Sequence, residues 1–339
     1  MAIGEGIKGG AVMRDRVARA APWGTVLALL LLIVVFGALK PHAFLSWDNL
    51  RTVLLQSAGL GIVAAGLTLV LILGEFDLSV AAMATLGGVA AALLAEQGVP
   101  ILLAFLLTIV LGMIVGTVNG LVTARLNVNS FIATLATTAI VTGLGTWWAN
   151  SQAIGITDSL FLKLSTDRVA GIPLPAIIAI IAYALLWVVL ERTRVGRMIY
   201  AAGANPEGAR LAGIRVDAVR VGAFAGCSAF AAIAGILLAS QLSSAYQGAG
   251  EPYLLPAFAA AFLGAVTVRR SQFHILGTAV GILLLTVLTN GLDVVAAPSY
   301  VAQLISGAIL ISAVALSTLR KRESTGVAVP AGAQMSGTS

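Results

Sequence analysis

The feature that most constrains this chain is a succession of ten long apolar stretches divided by short polar breaks, at 23–39, 52–73, 78–95, 101–124, 131–149, 172–190, 218–240, 254–268, 275–295 and 300–319. A helix that crosses about 30 Å of hydrocarbon needs about 20 apolar residues. Barrel strands would instead alternate over about ten residues, and these runs are continuous. Only 10% of residues are charged while 59% are apolar, against about 25% charged in an ordinary soluble domain. So few charges cannot cover the surface of a soluble globule, and the mean hydropathy of +1.01 agrees. The expectation is an all-α membrane protein with about ten transmembrane helices. A soluble enzyme is excluded.

Charge placement then orients the helices. The net charge of +6 does not form one basic face, so it argues topology rather than nucleic-acid binding. With the N-terminus inside, sixteen of the twenty Lys and Arg residues fall on the inner side, six of them between 191 and 220. Only Lys40, Arg51, Lys163 and Arg168 fall outside. This asymmetry follows the positive-inside rule and puts both termini in the cytoplasm. Tryptophans suit interfacial belts, with Trp23 and Trp187 near the inner side and Trp47, Trp147 and Trp148 near the outer. The first run lacks a small-residue cleavage site and is followed by Lys40, Pro41 and His42, so it is expected to stay as a helix. The organisation expected is a cytoplasmic segment 1–22, a transmembrane domain 23–320 and a disordered, Gly/Ala/Ser/Thr-rich cytoplasmic tail 321–339. A polar external loop spans 150–171, and a longer internal one spans 191–217.

Enzyme and metal signatures are missing. His42 and His274 lie at opposite faces, no HExxH or Cys-His spacing exists, and no lysine sits in a phosphate loop. No catalytic, cofactor or metal residue is therefore expected. The single Cys227 reads as a small packing residue. Within the apolar runs only Arg220 and Asp293 are charged, both near helix ends. That equips a proton-coupled carrier poorly and suits a transporter energised by another subunit.

Two stretches stand out. Gly74-Glu75-Phe76-Asp77-Leu78-Ser79 is the most polar spot between two runs. Asp77 reads as an N-cap for the helix that follows. Alternatively Gly74, Glu75, Asp77 and Ser79 line a broken helix at a pathway or gate, because irregular backbone at membrane depth persists only beside a cavity or inside protein. The second stretch lies in the internal loop. Asn205 suits an N-cap, Pro206 the first helical position, Glu207 the positive dipole end and Gly213 the C′ position. A short cytoplasmic helix over about 206–212 follows, and it reads either as a connector or as a docking element. Glycines spaced by four, at 112, 116 and 120, at 222 and 226, and at 277 and 281, allow close helix approach within the chain or across a dimer.

The stretch GRMIYAAGANPEGARLAGI (196–214) resembles the cytoplasmic coupling loop of ABC-importer permeases of the ribose/xylose/arabinose type, in the branched-chain amino acid permease superfamily. GEFDLSV (74–80) resembles that family's Gly-Gly-apolar-Asp-Leu-Ser element, with Glu75 in place of the second glycine. NSFIATLATTAIVTGL (129–144) and TNGLDVVAAPSYVAQLISGAILISAVAL (289–316) are similar to its fifth-helix and C-terminal patterns, so the likeness covers about 45–320. The resemblance implies a permease subunit of an ATP-driven, binding-protein-dependent importer of a monosaccharide such as a pentose or a related polyol, in a bacterial plasma (inner) membrane. The implied partners are ABC ATPase subunits on the cytoplasmic side, an extracytoplasmic sugar-binding protein, a second permease copy or paralogue, and membrane lipid. Asn205, Pro206, Glu207, Ala209, Arg210, Leu211 and Gly213 would form the ATPase-coupling helix. A branched-chain amino acid permease and an ion-coupled secondary carrier are the alternatives. A membrane enzyme is disfavoured by the missing nucleophile and base.

Overall fold

A computed structural model describes residues 24–267 and 272–324. Each of the ten apolar stretches carries a helix. In chain order the helices are α1 (Gly24–Leu39), α2 (Pro41–Phe44), α3 (Trp47–Ile72), α4 (Val80–Glu96), α5 (Ile101–Arg125), α6 (Ser130–Trp148), α7 (Ser159–Thr166), α8 (Leu174–Arg192), α9 (Arg194–Ala204), α10 (Pro206–Leu211), α11 (Val216–Leu242), α12 (Leu254–Thr267), α13 (Ile275–Val294) and α14 (Ser299–Ser324). Among the described residues α3, α5, α6, α8, α11 and α13 are long and apolar enough to cross a membrane, and α1 and α4 are shorter apolar helices. The segment 1–22, Trp23, Arg269, Arg270 and the tail from 325 lie outside the described residues. Residues 321–324 belong to α14.

The bundle is built around α11, which packs against α5, α4 and α3. Small residues make that possible. A methyl added at Gly116 would collide with the Phe224 carbonyl, and one at Gly112 would lie 2.7 Å from the Ser228 oxygen. Gly120 faces the Val221 backbone in the same way. The glycine stripe on α5 therefore packs within the chain, and Gly264 and Gly277 do the same between α12 and α13. With no hydrophobic gain from burying one apolar helix against another in lipid, close van der Waals contact is what holds such a seam. Large apolar residues such as Leu102, Ile114, Ile140 and Ile181 remain exposed on the outside of the bundle.

The bundle has two distinct ends. At one, α9 sits beside the last turn of α3, where Gly203 fits against the Ile72 carbonyl, and α10 packs against α9 and α11. Arg192 lies over the Trp187 ring there, 5.2 Å from its centroid. At the other, the expected polar loop 150–171 is ordered. Strand β1 (Ile154–Gly155) pairs antiparallel with β4 (Ser244–Ala245), and β2 (Arg168–Val169) pairs with β3 (Ile172–Pro173). Asp158 caps α7 through the Phe161 N–H at 2.9 Å, which seats a fully buried Phe161 against α11. The Ser240 hydroxyl donates to the Phe161 carbonyl at 2.7 Å and fixes that seat.

Candidate functional site

The short helix α10 forms where the caps require it, one residue shorter than the expected 206–212. Asn205 accepts the Gly208 N–H at 3.0 Å, and Pro206 occupies the first turn. Gly213 takes φ +82°, a left-handed conformation that glycine adopts at little cost. The stop is a double turn: Gly213 N–H donates to the Arg210 carbonyl and Ile214 N–H to that of Ala209. Ala209 faces inward, while Leu211 at the last turn is 91% exposed. So large an apolar side chain on a short polar helix is bare surface that folding does not explain.

Arg210 is engaged from both sides. It donates to Glu207 at 3.1 Å and to Asp217 in the first turn of α11 at 3.0 Å. Asp217 first and Glu207 second hold its guanidinium above the ordinary arginine range, so it stays charged. Sequence reasoning missed α9, which shares the same stretch. Thr193 caps it through Gly196 N–H at 3.4 Å, and Gly196, Ile199 and Ala202 form its buried side. A threonine followed by small and apolar residues every third position was the available signal.

The break between α3 and α4 corrects one expectation. α4 starts at Val80, with Ser79 at the N-cap position and no side-chain cap bond, so Asp77 is not the cap. Its carboxylate instead accepts the Ser79 N–H at 2.9 Å and the Ser79 hydroxyl at 2.5 Å, closing a local turn. The Ser79 hydroxyl in turn accepts the Asn119 amide at 3.0 Å, and the Asn119 oxygen accepts the Thr137 hydroxyl at 2.6 Å. Asp77, Ser79 and Asn119 are all buried. The backbone of the break is satisfied by α6, with Phe76 N–H donating to Ser130 and Leu78 N–H to Thr134. Gly74 supplies the positive φ that turns the chain out of α3. Irregular backbone inside a bundle is thus paid for by hydroxyls from its neighbours.

The structure joins these two stretches, which sequence reasoning treated as separate. Glu75 pairs with Arg220 of α11 at 3.2 Å, both mostly buried. Asp217 and Arg220 lie one turn apart on α11, so α10 and the break are tied to the same turn of one helix by two ion pairs. Cys227, fully buried on α11, lies beside Asp77. Among the described residues no cluster of His, Cys, Asp and Glu could hold a metal ion.

A many-helix bundle of long apolar helices, with ion-paired breaks and a capped helix standing off its end, is a multi-pass membrane protein. The chain belongs to the family of branched-chain amino acid transport system permease components, whose pattern matches residues 49–314. It is 37% identical to the ribose import permease of Bacillus subtilis (strain 168) over 295 residues, 86% of this chain and 91% of that protein. To the ribose import permease of Haemophilus influenzae it is 33% identical over 289 residues, 84% and 89% of the two chains. An autoinducer 2 import system permease of Escherichia coli is 32% identical over 300 residues, 85% and 90% of the two chains. No solved structure matches the chain.

Proposed function

We propose that this chain is the membrane-spanning permease subunit of an ATP-driven, binding-protein-dependent importer of a monosaccharide, of pentose size or a related polyol. The identity to ribose import permeases over nearly the whole chain carries this reading. It favours a sugar over a branched-chain amino acid, and the scarcity of charge within the helices disfavours an ion-coupled carrier. The chain would span the bacterial inner membrane about ten times through its 23–320 domain, with both termini in the cytoplasm. It would work beside a second permease copy or paralogue, two ATPase subunits and an external sugar-binding protein.

In this reading α10 is where the ATPase docks. A displacement of α10 reaches the break by two routes: through Arg210, Asp217, Arg220 and Glu75, and through α9, which is seated on the last turn of α3. The break at Gly74–Ser79 would then be the element that reorients as the path opens to one side and the other. ATP hydrolysis would reside on the partner chain. The test is uptake in proteoliposomes holding the permease with its ATPase and binding protein, using labelled D-ribose against labelled L-leucine. ATP-dependent ribose uptake is expected. Leucine uptake without ribose uptake, or ribose uptake by the permease alone on a proton gradient, overturns the proposal.

A further inference from the structure

Between α11 and α12 the chain does not simply turn at the end of the bundle. From β4 it runs inward as irregular backbone through Tyr246–Gly250, forms a single 3-10 turn at Glu251–Tyr253, and then enters α12. Its depth is marked by two contacts. Gly250 N–H donates to the Thr85 hydroxyl at 3.0 Å, only two turns into α4. A methyl at Gly250 would lie 2.5 Å from the Ala81 carbonyl, nearer still to the break at Ser79. Tyr253 crosses to α3, where a methyl at Gly59 would sit 2.6 Å from its hydroxyl. Such backbone at membrane depth persists only where protein buries it or where it borders an aqueous path.

One side chain in this segment has no partner for any of its polar atoms. Both the amide oxygen and the amide nitrogen of Gln247 are buried without a hydrogen bond. They lie against α6 at Gly145, where an added methyl would come 2.7 Å from the nitrogen. Gln56 on α3, one turn before Gly59, likewise has a buried amide oxygen without a partner. An unpaired buried amide is destabilising, and such groups are rare enough that each needs a reason. Packing alone would select leucine or methionine at such a position. A glutamine carries an acceptor and two donors side by side, which matches neighbouring hydroxyls on a ring.

Resting on the proposed sugar-import reading, we infer that the inward segment 246–253 forms a hydroxyl-recognising site on the transport path, with the Gln247 amide as its central group. The ligand class is a small polyhydroxylated solute. Gly145 is glycine because the amide needs the room that a methyl would take.

The test uses the assembled complex in proteoliposomes with D-ribose as the probe and the binding protein supplied outside. Gln247→Met removes the amide at nearly constant length. Ribose uptake is expected to fall about tenfold, the loss of a hydrogen bond or two to the solute. The melting temperature of the solubilised protein should hold or rise, because an unpaired polar group has been removed. Gly145→Ala should lower uptake in the same direction without touching the amide chemically. Wild-type ribose uptake by Gln247→Met overturns the assignment, whatever Gly145→Ala does. So does a lower melting temperature for Gln247→Met, which would mean that the amide is bonded and structural. A wild-type complex that carries leucine and no ribose overturns the sugar reading itself and this site with it, whereas equal ribose uptake by wild type and Gln247→Met removes only the site.

Discussion

Glu75 and Arg220 meet at 3.2 Å across the boundary between an irregular break and the first turns of the central helix. Their side chains are only 14% and 19% exposed, so neither charge is well hydrated and each depends on the other. Removing one partner of such a pair leaves the other charge stranded in poorly hydrated surroundings, which is destabilising. Glu75→Gln or Arg220→Gln should therefore lower the melting temperature of the solubilised protein. Both should also disturb the ratio of sugar transported to ATP hydrolysed, because the pair links the break to the helix that carries Asp217. The exchange Glu75→Arg with Arg220→Glu restores the pair and should recover much of both. A double variant no better than the sum of the singles would show that the contact transmits nothing.

The caps of α10 allow a sharper separation of stability from coupling. Each cap bond is worth about 1 kcal/mol, and valine in the left-handed conformation of Gly213 costs about 1–2 kcal/mol. These sums are large for a six-residue helix, which is marginal alone. They are small for the bundle. Asn205→Ala with Gly213→Val should leave expression and insertion near wild type while ATPase docking weakens or hydrolysis runs without uptake. The measurement is the transport-to-hydrolysis ratio in proteoliposomes, and an unchanged ratio with unchanged docking would make α10 a mere connector.

Leu211 offers an independent reading of the same surface. At 91% exposure it contributes little to folding, so Leu211→Glu should leave thermal stability unchanged. If it anchors a partner, the same change should weaken ATPase binding about tenfold or more, as for an apolar anchor at an interface centre. Binding of the purified ATPase to permease in nanodiscs checks this, and equal affinity for both forms would remove Leu211 from the interface.

The helices and the caps of α10 were readable because their signals are local: continuous apolar runs, and Asn, Pro and Gly at fixed offsets from one helix. What escaped depends on residues far apart in the chain. Asp77 looked like a cap because an acid before an apolar run usually is one, but Asn119 and Thr137 draw Ser79 into a buried network and the helix starts at Val80. The link from α10 to the break needs Arg220, which reads alone as an ordinary basic residue at a helix end. Gln247 sits among glycines that signal only a turn, and nothing local says that the turn goes inward. The order of the 150–171 loop likewise rests on a pairing between Ile154 and Ala245 that no local pattern announces.

Glycines at the same spacing are predicted to differ in tolerance. Gly116 and Gly222 both belong to four-residue glycine repeats, yet a methyl at Gly116 collides with the Phe224 backbone while one at Gly222 meets nothing within 4 Å. Gly116→Ala should lower thermal stability by about 1–3 kcal/mol, since overpacking against backbone is not relieved by a rotamer change. Gly222→Ala should be neutral or slightly stabilising, as alanine is the better helix former. Melting curves of the two solubilised variants decide this, and equal losses would imply that Gly222 packs against a second copy.

Sidedness follows from the charge asymmetry and can be read with a single reagent. Cys227 is buried, and replacing it with alanine removes the native thiol at little cost in volume. In that background Ser159→Cys, exposed at the start of α7, should react with an impermeant maleimide on intact spheroplasts. Leu211→Cys, exposed at the end of α10, should react only after the membrane is permeabilised. The two positions lie at opposite ends of the bundle, because α7 packs beside Ser240 near the end of α11 while α10 is tied to Asp217 near its start. Those anchors are twenty-three residues apart on one helix, a rise of about 35 Å at about 1.5 Å per residue, enough to cross the hydrocarbon once. Labelling of both sites from outside would invert or break the orientation expected from the basic residues. Labelling of Leu211→Cys alone from outside would place the arginine-rich end on the wrong face for an ATPase and remove the docking role of α10.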